Sequence, residues 1–115
     1  MDKRPLNLDP SLGAMQAHSA QAVRLLKALA NERRFQVLCL LAGREHSVGE
    51  LNGLLEMSQP ALSQHLAVLR KIGLVETRRD GQTINYSLAD GPGAAVMETL
   101  CRTCCGDGDS GSARP

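Results

Sequence analysis

Four cysteines stand at Cys39, Cys101, Cys104 and Cys105, the last three within five residues. Three cysteines so close together are an odd way to fill a core. If the segment is helical, Cys101, Cys104 and Cys105 lie at i, i+3 and i+4 on one face. Three convergent thiolates suit a soft thiophilic ion such as arsenite or antimonite. Cys101-Arg102-Thr103-Cys104 is also a C-x-x-C run. That spacing serves thiol oxidoreductases when it opens a helix in a thioredoxin-like βαβ setting. Here it ends a helical pattern, and no strand-helix alternation precedes it. Cys39 lies among Val37, Leu38, Leu40 and Leu41, surroundings in which a cysteine also serves as a small apolar residue.

A second group of residues could meet nucleic acid. Ser58, Gln59, Ser63, Gln64 and His65 are small, amide or imidazole side chains able to reach base edges, and glutamine can bond adenine in bidentate fashion. From residue 70 to 79, Arg70, Lys71, Arg78 and Arg79 face only Glu76, a local charge of +3 in a chain whose formal net charge is +1. Gln82 follows in the adjoining turn. Binding to phosphates depends on such clustering rather than on the total charge. A solvated polar face and surface arginines would have the same composition, so the order of the elements must decide.

The elements that position these groups can be read from periodicity. Val23, Leu26 and Leu29 mark a first helix from about Met15 to Ala30. Asn31 caps a second, with Glu32 in its first turn, Phe35, Leu38 and Leu41 at three-residue steps, and Gly43 at its end. Ser47 to Glu50 reads as a capping box opening a short third helix to about Glu56. Ser58 caps a fourth, which tolerates Pro60 in its first turn and carries the stripe Leu62, Leu66 and Leu69 until Gly73 stops it. From Leu74 the pattern changes to a hairpin about Asp80-Gly81, pairing Val75 with Tyr86 and Thr77 with Ile84. A weaker fifth helix from Ala94 to Cys105 has Val96, Met97 and Leu100 on its apolar side.

This order predicts a mainly α fold with a small β-hairpin wing, a winged helix-turn-helix of four helices, hairpin and fifth helix. Residues 1–14 are expected to form a flexible arm, 15–105 the DNA-binding and dimerisation domain, and 106–115 a disordered tail. A single Phe and a single Tyr exclude modules that stack bases on aromatic platforms. No run approaches the roughly 18 apolar residues of a membrane span, and no signal peptide is apparent. The expected compartment is the cytoplasm, where thiols are kept reduced and a stable structural disulfide is not expected. No Ser-His-Asp set, phosphate-binding glycine loop or paired catalytic carboxylates appear, so no enzyme activity and no cofactor are expected.

The runs LKALANERR (26–34), SVGEL (47–51), SQPALSQHLAVLRKIGLVETRR (58–79) and Tyr86-Ser87-Leu88 resemble the ArsR/SmtB repressor family over nearly everything from the first helix to the fifth. The resemblance implies a homodimer built from the first and fifth helices. It also implies two fourth helices in successive major grooves ~34 Å apart, and therefore double-stranded DNA with inverted half-sites as partner. Metal-sensing members carry thiols where this chain has Ser47-Val48-Gly49-Glu50. Others use Asp and His on the fifth helix, and no histidine lies between Asp90 and Cys105. No metal is therefore expected, unless Cys101, Cys104 and Cys105 take arsenite.

The cysteine placement resembles a subgroup, the biofilm growth-associated (BigR-like) and sulfide-responsive repressors, which have one thiol on the second helix and one on the fifth. Laid on that pattern, the partner of Cys39 is Cys105, with Cys101 and Cys104 as extra thiols. The resemblance implies that persulfide or polysulfide bridges the two helices and releases DNA. A direct disulfide needs Cα atoms within ~7 Å, a limit that inserted sulfur atoms relax. A DNA-binding module with no ligand is a further alternative.

Overall fold

The computed structural model describes residues 11–104. Cys105, the 106–115 tail and the N-terminal arm up to residue 10 lie outside the described residues. Five helices surround a small sheet: α1 (Leu12–Leu29), α2 (Glu32–Gly43), β1 (His46–Ser47), α3 (Val48–Leu54), α4 (Gln59–Lys71), β2 (Val75–Asp80), β3 (Thr83–Leu88) and α5 (Pro92–Cys104).

The helix starts follow from their caps. Asn31 Oδ1 accepts the Arg34 amide at 3.0 Å and Ser58 Oγ the Ala61 amide at 3.2 Å. At α3 the box closes in both directions, Glu50 N to Ser47 Oγ at 3.1 Å and Ser47 N to Glu50 Oε1 at 3.0 Å. Each bond satisfies an amide that has no intrahelical acceptor. Some boundaries differ from expectation. Ser11 caps α1, which therefore begins before Met15. α3 stops at Leu54 rather than Glu56, because Leu55 is extended. Pro92 starts α5 ahead of Ala94, at a position where its missing N–H costs nothing.

The core joins Leu38, Val37 and Leu41 of α2, Leu51 of α3, the stripe Leu62, Leu66 and Leu69 of α4, Leu74, Val75 and Met97. Spacings of four and three residues bring the α4 leucines to one side. Each of the three buries enough apolar surface to contribute about 1.5–3 kcal/mol. The expected apolar side of α1 is divided: Leu29 is buried, but Val23 and Leu26 are 46% and 57% exposed. Gly93 allows the close approach of α5, since a Cβ there would lie 2.0 Å from Leu74 Cδ2.

The sheet has order β1-β3-β2 and is antiparallel throughout. The hairpin register corrects the expected one. Val75 faces Leu88 and Thr77 faces Tyr86, so the turn residues are Gly81 and Gln82 rather than Asp80 and Gly81. Gly81 has φ +67° and no non-glycine residue has positive φ. A turn with glycine first accommodates that arrangement, whereas Asp80-Gly81 would require a positive φ at aspartate. The slip is two residues, and since side chains alternate faces with period two, the same residues still face the core. β1, which sequence patterning does not reveal, pairs His46 with Tyr86 and Ser47 with Asn85.

Candidate functional site

α3 and α4 are joined by residues 55–58 and pack through Leu51, Leu62 and Leu66, so the core-facing stripe of α4 sets which of its side chains face water. Ser58, Gln59, Ser63, Gln64, Arg70 and Lys71 are all exposed. Ser63, Ala67, Arg70 and Lys71 line a groove closed on its other side by Tyr86 of β3. The second helix of the helix-turn-helix and the wing therefore share one polar, cationic surface. Tyr86 is a lining residue that the sequence reading treated only as a strand partner. Its signal was the register, which places it opposite Thr77.

His65 stands apart from the other polar residues of α4. It is half-buried, and the Nε of Arg34 donates to its Nδ1 at 3.4 Å. Desolvation holds the imidazole below its ordinary pKa, and the charges of Arg34 and Arg33 add to that effect. Arg34, which sequence reasoning did not single out, thus links the start of α2 to α4. In the wing, Arg79, Gln82 and Arg78 are exposed, but Arg78 is engaged. Its Nη2 pairs with Glu45 Oε1, and its Nε donates to Oε2 at 3.3 Å. This two-pronged pair lowers the Glu45 pKa, chiefly through the hydrogen bond, and raises that of Arg78. Arg79 Nη1 reaches the Gly81 carbonyl at 3.4 Å and is otherwise open to an anion.

On the far side of α2, the Cys101 thiol donates to the Sγ of Cys39 at 3.5 Å. Both side chains are half-buried and pack against the core at the seam between α2 and α5. Cys104 is exposed, with its sulfur 3.9 Å from Thr103 Oγ1. Cys105, the expected partner of Cys39, is outside the described residues. Among the described residues no three His, Cys, Asp or Glu side chains converge as a metal site. The C-x-x-C run occupies the last turn of α5, where the helix dipole opposes rather than favours a thiolate. No helix among the described residues is long and apolar enough to cross a membrane.

Comparison with known proteins follows the same outline. Residues 31–77, from the cap of α2 into β2, match the model of the bacterial regulatory proteins of the arsR family. The transcriptional activator HlyU of Vibrio cholerae is 54% identical over 101 residues, which are 88% of this chain and 90% of the relative. A structure of reduced HlyU from the same organism superposes with a TM-score of 0.76 at 55% identity, covering 82% of this chain and 99% of that one. The transcriptional repressor BigR of Xylella fastidiosa gives a TM-score of 0.77 at 35% identity, over 90% of this chain and 100% of that chain. A homodimeric winged helix-turn-helix DNA-binding domain from Mycobacterium bovis gives 0.71 at 33% identity, over 81% of this chain and 86% of that one. With identity at this level running across most of both chains, the chain belongs to the arsR family of bacterial regulatory proteins, as a DNA-binding regulator of transcription.

Proposed function

We propose that the chain is a cytoplasmic, homodimeric repressor that leaves its operator when Cys39 becomes bridged to a cysteine at the end of α5, with persulfide or polysulfide as the inducer. The observation that carries this reading is the thiol–thiol contact of 3.5 Å between Cys39 and Cys101, which lies across the seam of two helices rather than within one. Resemblance to the sulfide-responsive subgroup names Cys105 as the partner, and both thiols belong to the same end of α5.

The dimer has physical support in α1. Leu12, Met15, Val23 and Leu26 are exposed and, at 100° per residue, fall on one side of the helix. Four large apolar side chains in one stripe are costly in water and are relieved by a second copy. A two-fold dimer repeats α4 symmetrically and reads inverted half-sites. Ser58, Gln59, Ser63, Gln64 and His65 then meet base edges, while Arg70, Lys71, Arg78, Arg79 and Gln82 meet the phosphate backbone. A bridge pulls on α2, and α2 is tied to α4 by Arg34 and His65. Strain at the seam is thereby delivered to the helix that holds DNA.

The test is a gel-shift titration with the DNA upstream of the protein's own gene, using reduced protein and then protein treated with polysulfide, peroxide or arsenite. Polysulfide is expected to release the DNA, and Cys39→Ser to abolish that release. Release by arsenite that survives Cys39→Ser would instead assign the switch to Cys101, Cys104 and Cys105. A complex indifferent to all three reagents would overturn thiol control.

A further inference from the structure

We propose that Cys101 is the thiol that closes onto Cys39, and that a single sulfane sulfur atom suffices to close the pair as an ordinary disulfide with no sulfur retained in the bridge. The inference rests on the thiol-switch reading above and deepens it by naming the partner and the chemical form of the bridge.

The geometry separates the thiols of α5. Cys101 Sγ is 3.5 Å from Cys39 Sγ, in contact but not bonded. A disulfide bond of about 2.05 Å requires the sulfurs to approach by about 1.5 Å, a distance that rotation of two half-buried side chains can supply. Cys104 lies three residues on and is exposed, with its sulfur near Thr103 Oγ1. Cys101 therefore meets Cys39 before any rearrangement of the helix end. Because the two sulfurs touch, whichever is modified first presents its own sulfur atom to the other.

The steps balance as follows. A Cys39 thiolate attacks the outer sulfur of a persulfide donor R–S–SH, forming Cys39–S–SH and expelling RS⁻. The Cys101 thiolate then attacks Cys39 Sγ, the Sγ–Sγ bond forms as the bond to the outer sulfur breaks, and HS⁻ departs. Each cysteine sulfur loses one electron, and the transferred sulfur gains two and leaves as hydrosulfide. Hydrosulfide is the weaker base and hence the better leaving group than a cysteine thiolate, which directs attack to the inner sulfur. If Cys101 is modified first, the same steps with the roles exchanged give the same product. Retaining sulfur in the bridge would require a second sulfane equivalent.

Trypsin makes the test direct, because cleavage after Arg34, Arg44, Arg79 and Arg102 leaves Cys39 in peptide 35–44, Cys101 in 80–102, and Cys104 with Cys105 in 103–115. The full-length reduced chain is treated anaerobically with inorganic tetrasulfide, remaining thiols are alkylated, and the digest is weighed without reductant. The expected main product joins 35–44 to 80–102 at about 2 Da less than the sum of the reduced peptides, as loss of two thiol hydrogens requires. Cys101→Ser and Cys101→Ala should each reduce the yield of bridged Cys39 at least about tenfold, while a Cys104→Ser/Cys105→Ser double variant stays within about twofold of the parent.

A main product joining 35–44 to 103–115, or a 35–44/80–102 pair carrying extra sulfur, would overturn the proposal. Both results come from the parent protein and do not depend on a variant folding. If the expected link forms but the gel shift on upstream DNA is unchanged, this assignment stands and the switching reading falls. Absence of any bridge to Cys39 would remove both.

Discussion

The Nε of Arg34 at the start of α2 donates to Nδ1 of His65 on α4, across 3.4 Å and 31 residues of sequence. The bond requires an unprotonated Nδ1, and the same arginine opposes protonation by its charge. Desolvation is the larger cause of the depressed His65 pKa, followed by Arg34 and Arg33. Since the folded value lies below the model value of 6.5, the unfolded chain binds more protons in the interval between them. The stabilising contribution is fully present above about pH 6.5 and is lost as the pH falls through the folded value. Urea midpoints measured from pH 7.5 to pH 5 should decline more steeply for the parent than for His65→Gln. Equal slopes would show that the pair does not hold α2 to α4.

Glu45 competes with DNA for Arg78. The carboxylate engages the guanidinium through both oxygens at the surface, and an exposed pair of this kind contributes little to stability. Glu45→Gln should leave the melting temperature nearly unchanged while freeing a cation in the wing. Affinity for duplex DNA at low salt should rise, and the slope of log K against log salt should steepen by about 0.9 if Arg78 takes up one phosphate. Unchanged affinity would remove Arg78 from the set of contacts.

Arg70 and Gln64 lie on the same helix but should fail differently when replaced. Arg70→Ala is expected to weaken binding to all duplexes alike and to reduce the salt slope by about 1. Gln64→Ala should keep the slope and narrow the preference for upstream DNA over random duplex by about 1–3 kcal/mol. Competition titrations at several salt concentrations distinguish these outcomes, and identical behaviour of the two variants would contradict the assignment.

Ser58 and Leu66 test what holds α4 in place. Ser58→Ala leaves the Ala61 amide without its acceptor and should cost about 1 kcal/mol. Leu66 is 1% exposed, and Leu66→Ala should cost about 2–5 kcal/mol through lost burial and the residual cavity. Denaturant melts measure both. A cost below 1 kcal/mol for Leu66→Ala would mean that the core between α3 and α4 collapses readily around the deletion.

The features written in the sequence itself are those whose partners lie within a few residues. The caps at Asn31, Ser47 and Ser58 act over three residues, and Leu62, Leu66 and Leu69 share a face because the α-helical repeat dictates it. Helix order, and with it the winged architecture, could be read from such local signals. The hairpin register could not be read directly, since Asp80-Gly81 and Gly81-Gln82 offer two turns and only the backbone angles choose between them.

Tertiary structure alone decided the contacts between distant groups. Arg34 with His65, Arg78 with Glu45, and Cys101 with Cys39 are separated by 31, 33 and 62 residues. The pairing of β1 with β3 is of the same kind. No periodicity encodes which of several cysteines on one helix turn touches a given residue on another helix. That depends on how α5 rotates as Gly93 packs on Leu74 and Met97 enters the core. The thiols were visible as residue types, but their neighbours are a property of packing.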